Sequence, residues 1–165
     1  MKLLFTRHAE TNPNGHDVTQ NGGVLGALSE KGQDQASRLA KHLSEFNISY
    51  IYSSDILRAI ATSYIISDTM PDVTVMLTKD LRIKDPSESN ENFQKRLKTF
   101  LDGLVAKYDK QAILVVTHQD VIQNILKLLD IENPTSASLG AVSEFEITHN
   151  NPPKAIRVND TSFLN

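Results

Sequence analysis

A continuous apolar run at residues 112–116 is the strongest constraint on how this chain can fold. Because no polar residue interrupts it, the run is typical of a strand that is buried on both faces of a parallel sheet. Shorter segments at residues 3–5, 48–52 and 73–77 are also rich in apolar and β-branched residues, which favours strands there. The chain therefore predicts a sheet whose central strand is covered on both sides.

Segments with helical spacing of apolar residues separate these strands. Ser29 is a predicted N-cap, and the apolar positions from Ala36 to Phe46 fall on one helical face. The serines and aspartate at 53–55 predict the cap of a second helix that runs to about residue 69. Two further apolar stripes at 93–104 and 121–129 predict two more helices, the last one ending before Pro134.

The C-terminal part of the chain predicts two more strands, at residues 143–148 and 155–158, on either side of a turn at 150–153. Strands that alternate with helices favour an α/β fold. We expect a three-layer sandwich with a mostly parallel central sheet and helices on both faces, formed as a single domain over residues 1–165.

Composition excludes several kinds of site and partner. The 165 residues include no cysteine, so neither a disulfide nor a thiolate site is possible. The formal charge of −3 argues against a nucleic-acid partner held through its phosphates. No apolar run approaches the length of a membrane span, so we expect a cytoplasmic protein without a membrane partner. The oligomeric state is left open.

Arginines and histidines follow three of the predicted strands. Arg7 and His8 come after the first, Arg58 comes shortly after the second, and His118 follows the fourth. Because the carboxyl ends of parallel strands share one edge of a sheet, these four side chains can converge there. Guanidinium groups bind phosphate oxygens in a bidentate manner, and an imidazole can attack phosphorus. The hypothesis is that His8 is a nucleophile for phosphorus and that Arg7 holds the phosphate oxygens.

Each of these residues also has a structural interpretation when it is taken alone. A strand-end histidine is commonly a hydrogen-bonded structural residue, and a lone arginine such as Arg58 is commonly a surface charge on a helix. Their joint placement at one sheet edge favours a phosphoryl site instead.

Six ordered motifs resemble those of the histidine phosphatase superfamily, which contains phosphoglycerate mutases and many small phosphatases. They cover nearly the whole chain and are R-H-A-E-T at residues 7–11, L-S-E-K-G-x-x-Q-A at 28–36, Y-S-S-x-x-x-R-A at 52–59, P-S-E-S at 86–89 with Arg96, V-V-T-H at 115–118 and V-N-D-T at 158–161.

The resemblance implies roles for individual residues. His8 would form a phosphohistidine, while Arg7, Arg58 and His118 would bind the phosphoryl group and stabilise its transition state. Asn14 would be a further phosphate contact. The resemblance implies neither a metal ion nor an organic cofactor. It implies that the partner is a small phosphorylated metabolite or a phosphoprotein.

The chain departs from the family pattern at two places near this site. Ile83 occupies the position of the glutamate that donates a proton to the leaving group, and only two residues separate it from Pro86, so the usual lid segment is shortened. Glu88 is the favoured substitute donor, and the alternatives are Asp85 or neither residue, in which case the enzyme would be confined to leaving groups that depart without much help, such as that of phosphohistidine. Gln119 replaces a glycine that is common after the second histidine, so its side chain is expected to reach the substrate pocket.

The predicted function is a metal-independent phosphatase that hydrolyses phosphomonoesters through phospho-His8. A protein phosphohistidine phosphatase, a phosphoglycerate mutase and a catalytically weak phosphate-binding module are the alternatives. The shortened lid disfavours the mutase, which must shield its phosphorylated intermediate from water.

Overall fold

The computed structural model describes residues 1–12, 27–131, 134, 136–148 and 151–165. These residues form one sheet and the helices that cover it. The strands are β1 (Lys2–Arg7), β2 (Ile48–Ser54), β3 (Thr74–Thr78), β4 (Ala112–Thr117), β5 (Val142–Thr148) and β6 (Asn151–Asp160). The α-helices are α1 (Glu30–Leu43), α2 (Leu57–Ser67), α3 (Asn90–Lys107) and α4 (Gln119–Leu128).

The strand order in the sheet is β3-β2-β4-β1-β5-β6. The first four strands in this order are parallel to one another, whereas β5 runs antiparallel to β1 and β6 antiparallel to β5. Every residue of β4 is buried. The predicted mostly parallel α/β fold is confirmed, and the run at 112–116 lies at its centre.

Helices cover both faces of the sheet. Leu3 and Phe5 of β1 pack with the apolar stripes of α3 and α4, while Leu4 between them packs with α1 and α2. Successive side chains of a strand point to opposite faces, so β1 contributes side chains to the core on both faces of the sheet. This two-sided burial fixes the register of β1 and therefore the position of the residues that follow it.

The helix start predicted at residues 53–55 is wrong. Ser53 and Ser54 are the last residues of β2, and α2 begins at Leu57 without a side-chain cap. Ser53 donates to the Ser54 carbonyl (2.9 Å). Ser54 Oγ contacts a histidine described below and accepts from the Ile56 amide (3.3 Å) just before the helix, instead of from an amide within α2. Ser29 does cap α1 as predicted, since its hydroxyl accepts from the Gly32 amide at 3.0 Å.

The strand predicted at 155–158 is longer than expected. It begins at Asn151 and includes Pro152 and Pro153, for which the sequence predicts a turn. Because β6 is at the edge of the sheet, residues without an N–H group can be accommodated there.

Candidate active site

The structure brings the four predicted arginines and histidines together at the carboxyl edge of the sheet. Arg7 ends β1 and His8 follows it, His118 lies between β4 and α4, and Arg58 lies in the first turn of α2. The imidazole centroids of His8 and His118 are 5.4 Å apart, and Arg58 Nε is 3.2 Å from His8 Nε2. The convergence expected from strand order is therefore present.

The hydrogen bonds of His8 define which ring nitrogen can react. His8 is only 7% exposed, and its Nδ1 is 2.8 Å from the carbonyl oxygen of Ala9. Arg58 Nε–H can only donate, so His8 Nε2 must accept and Nδ1 must carry the proton. The imidazole is thus a neutral tautomer whose lone pair on Nε2 points toward Arg58.

Thr62 connects the histidine loop to the arginine helix. The Ala9 amide donates to Thr62 Oγ1 (3.1 Å), and the Thr62 hydroxyl donates to the Arg58 carbonyl (2.8 Å). The peptide that orients His8 is therefore held by the helix that presents Arg58. Thr62 lies outside the sequence motifs given above, and this contact emerges from the structure.

His118 is buried and neutral. It is 2% exposed, and burial, reinforced by His8, Arg58 and Arg7, lowers its pKa to about 3. Its Nε2 is 2.9 Å from Ser54 Oγ, while its Nδ1 has no hydrogen-bond partner among the described residues. If the Ser54 hydroxyl donates to Nε2, the proton of the neutral ring is on Nδ1, where it can be donated to an anion.

Arg7 is held by the neighbouring α4 and by the segment that precedes β5. Its Nη1 donates to Gln119 Oε1 (2.7 Å) and to the Ala137 carbonyl (2.9 Å). Its Nε is buried and makes no hydrogen bond within the described part of the chain. Burial and the charge of Arg58 lower the pKa of Arg7. An anion between the two guanidinium groups would relieve both effects.

Gln119 therefore contacts Arg7. Its predicted role as a substrate-binding residue stays a prediction, and the contact that the structure describes is one that positions Arg7. Asn14, the other predicted substrate contact, lies outside the described residues.

The closing N-D motif supports the same arginine from the other side. Asn159, in a left-handed conformation (φ 55°), accepts from the Ser138 amide through Oδ1 at 2.7 Å. Ser138 follows Ala137, and the Gly140 amide donates to the Arg7 carbonyl (3.1 Å). Asn159 thus fixes the backbone that orients Arg7, which spacing alone could not reveal.

The start of α1 packs directly against the loop that follows His8. The Ser29 amide donates to the Glu10 carbonyl, and the Glu10 amide donates to Gln35 Oε1, both at 3.0 Å. A Cβ atom at Gly32 would lie 2.0 Å from the Glu10 carbonyl oxygen, so only glycine allows this approach. The second motif is therefore a docking element for the histidine loop.

The two predicted proton donors are held as carboxylates. Glu88 accepts two hydrogen bonds from Arg96, at 2.9 and 2.7 Å, and the guanidinium lowers the pKa of Glu88. Hydrogen bonds from Ser87 likewise lower the pKa of Asp85. Both environments stabilise the ionised form and oppose proton donation. Ile83 carries no ionisable group and is 42% exposed.

Within the described ranges, no cluster of three or more histidine, aspartate or glutamate residues could hold a metal ion. In the same ranges, no helix is long and apolar enough to cross a membrane.

The sheet topology brings two arginines and two histidines together in one cage at the carboxyl edge of the sheet. The profile of the histidine phosphatase superfamily (branch 1) matches residues 3–84 and 78–161. The chain belongs to this superfamily.

Individual relatives include proteins named as mutases and as phosphatases. Phosphoglycerate mutase-like protein 4 of Arabidopsis thaliana is 28% identical over 159 residues, which cover 75% of this chain and 69% of that protein. The chain spans only 30% to 36% of the length of three further curated relatives that it matches.

Solved structures show the same fold at low sequence identity. Phosphoglycerate mutase from Bacillus anthracis has a TM-score of 0.82 at 20% identity, with 99% of this chain and 94% of that chain covered. Phosphoserine phosphatase from Entamoeba histolytica, in complex with 3-phosphoglyceric acid, has a TM-score of 0.78 at 21% identity, with 99% and 98% covered.

Proposed function

We propose that the protein is a metal-independent phosphatase that hydrolyses phosphomonoesters through a phosphohistidine on His8. The observation that carries this proposal is the tautomer of His8. The Ala9 carbonyl holds the Nδ1 proton, and the Nε2 lone pair faces a guanidinium that would also hold the phosphoryl group.

The reaction follows from these contacts in two displacements. His8 Nε2 attacks phosphorus, the bond from phosphorus to the leaving-group oxygen breaks, and the Ala9 carbonyl stabilises the positive charge that develops on the ring. Arg58 transfers its hydrogen bond from His8 to a phosphoryl oxygen as attack proceeds. A water molecule then attacks phosphorus, the P–N bond breaks, and inorganic phosphate leaves neutral His8 behind.

Three donors supply the electrostatic stabilisation of the transferring group. Arg7 Nε and His118 Nδ1 are buried and unpartnered among the described residues, and Arg58 completes the cage. Donors fixed in advance in a buried site stabilise developing charge without reorganisation. The family relationship supports a phosphatase or mutase activity, and the proteins named above include a phosphatase of comparable length.

The test is hydrolysis of an aryl phosphate in the presence of a chelator. We expect turnover by the natural protein, its loss in His8→Ala, and retention in the matched control His42→Gln, which changes a histidine on α1. Protein that is quenched during turnover should carry acid-labile, alkali-stable phosphate on His8. Turnover by His8→Ala, or the absence of that phosphate, would refute the mechanism, and absence of all turnover would favour a phosphate-binding module.

A second candidate substrate is phosphohistidine on a protein. It is favoured because Glu88 and Asp85 are held in the ionised form and therefore do not readily donate a proton. An imidazole leaves phosphorus with little assistance from an acid. Activity on a phosphohistidine peptide together with none on alkyl phosphates would favour this candidate over a metabolite phosphatase.

A further inference from the structure

We infer that Asp120 is the catalytic acid and base of this enzyme, which protonates the leaving-group oxygen and later takes a proton from the attacking water. This assignment rests on the proposed function. It concerns a residue that none of the sequence motifs above includes.

The position of Asp120 places a carboxylate beside the phosphoryl cage. It is the second residue of α4, two positions after His118. Its negative charge acts on Arg7, where it counters the lowering of the Arg7 pKa. It is half-buried, so its carboxyl group is shielded in part from solvent.

The same carboxylate reaches the segment in which the family glutamate is missing. Asp120 Oδ2 accepts a hydrogen bond from the Lys84 amide at 3.1 Å, and Lys84 directly follows Ile83. A carboxylate is thus present next to position 83, although α4 supplies it instead of the loop after β3. This placement follows from the three-dimensional structure and could not be read from the order of the motifs.

The other carboxylates described near this edge of the sheet have side-chain partners of their own. Asp85 accepts from the Ser87 hydroxyl, and Glu10 pairs with Ser29 and Lys31. Asp55 accepts two hydrogen bonds from Arg82, at 2.6 and 2.7 Å, and Glu88 is held by Arg96 in the same bidentate manner. Asp120 accepts from one backbone amide and from no arginine within the described chain. Asp120 can therefore exchange a proton without breaking a bidentate ion pair, which Asp55 and Glu88 cannot.

The proton transfers balance over the two displacements. In the first, the protonated form of Asp120 gives its carboxyl proton to the leaving-group oxygen as the bond from that oxygen to phosphorus breaks. This gives an alcohol, phospho-His8 and the Asp120 carboxylate whose charge acts on Arg7. In the second, water gives its hydroxyl to phosphorus and its proton to Asp120, and the P–N bond breaks. Inorganic phosphate leaves and the starting state is restored.

The test compares two substrates in Asp120→Asn. The amide oxygen can still accept from the Lys84 amide, so the segment stays anchored while proton transfer is lost. We expect kcat/KM for an alkyl phosphate to fall by about 10²- to 10⁴-fold, the usual contribution of general acid–base catalysis. For p-nitrophenyl phosphate, whose leaving group needs little protonation, the rate of phosphoenzyme formation in a single turnover should change only a few-fold.

Vanadate binding separates this role from a structural one. Removal of a negative charge beside Arg7 should leave the vanadate Kd unchanged or lower it, whereas damage to the cage would raise it. Asp120→Glu, which keeps a carboxyl group, should retain more alkyl-phosphate activity than Asp120→Asn. In Glu88→Gln, the ratio of alkyl to aryl activity should stay as in the natural protein.

Three results would overturn the assignment. They are an equal loss on both substrates in Asp120→Asn, an undiminished alkyl activity in that variant, and a natural enzyme that hydrolyses the aryl ester but no alkyl ester. Each leaves phospho-His8 detectable with the aryl substrate. Absence of phospho-His8 in the natural protein would instead refute the proposed function itself.

Discussion

At the scale of single residues, His118 has the most perturbed environment in the site. Its pKa of about 3 reflects burial among three groups that can carry positive charge. The unfolded chain binds a proton near 6.5, so between about pH 3 and 6.5 the unfolded state holds more protons than the folded one. The contribution of His118 to stability is therefore complete above pH 6.5 and declines as the pH falls.

The first prediction follows from this loss of stability at lower pH. Between pH 6.5 and 5, the free energy of unfolding of the natural protein should fall by about 1 to 2 kcal/mol more than that of His118→Asn. Urea denaturation at several pH values in this range measures the difference, and carboxylates with lowered pKa values titrate mainly below it. Parallel stability profiles for the two proteins would contradict a neutral buried His118.

The second prediction concerns the two adjacent serines at the end of β2. Ser54→Ala removes the hydroxyl partner of His118 Nε2 and should lower the free energy of unfolding by about 1 to 3 kcal/mol, because a buried polar atom loses its partner. It should also raise the Kd for vanadate, since His118 no longer has a fixed tautomer. Ser53→Ala is the matched control, because within the described part of the chain its hydroxyl bonds to the Ser54 carbonyl and not to His118. Equal vanadate affinities in the two variants would contradict the role of Ser54.

At the scale of elements, the contact of α1 with the loop after His8 determines whether the nucleophile is held. The third prediction compares two glycines in helices. Gly32→Ala forces a Cβ onto the Glu10 carbonyl and should destabilise the protein by about 1 to 3 kcal/mol or more, with a loss of activity. Gly103→Ala meets no atom within 4 Å and should stabilise α3 by about 0.5 to 1 kcal/mol. Thermal unfolding of the two variants measures both changes, and a stable, active Gly32→Ala would show that α1 does not need this approach.

The sequence predicted the elements well wherever burial decided them. The run at 112–116 is a strand because both its faces are covered, and the stripe at 93–104 is a helix for the analogous reason. The prediction failed at 53–55, because the Ser54 hydroxyl contacts His118 at the end of the neighbouring β4 as well as the local Ile56 amide, and capping signals reflect local partners alone. It also failed at Pro152 and Pro153, because a sequence does not reveal which strand will form the sheet edge.

At the scale of the whole molecule, three separate parts of the chain meet at the proposed anion site. The fourth prediction is that vanadate at 100 times its Kd stabilises the fold by about 2.7 kcal/mol, which corresponds to a rise in Tm of about 5 to 11 °C. Differential scanning calorimetry measures this shift, and Arg58→Gln should reduce it at the same vanadate concentration. A shift of equal size in that variant would place the anion elsewhere.

Topology explains why the four caging residues could be predicted and their supporting contacts could not. Arg7, His8, Arg58 and His118 follow strands whose carboxyl ends must share an edge. The partners of Arg7 are Gln119 on α4, the Ala137 carbonyl before β5 and, indirectly, Asn159 on β6, and strand alternation does not encode these contacts. The position of Asp120 beside Lys84 could not be predicted for the same reason, since Lys84 is 36 positions away in the chain.

The peptide unit of Ala9 has a further use for experiment. Its carbonyl faces the Nδ1 proton of His8, and its amide donates to Thr62, whose hydroxyl in turn touches the helix of Arg58. Any change in the ring's charge polarises this one peptide bond. The ¹⁵N resonance of Ala9 should therefore shift between free, anion-bound and covalently modified enzyme. Its chemical shift would report which of these states is present during turnover.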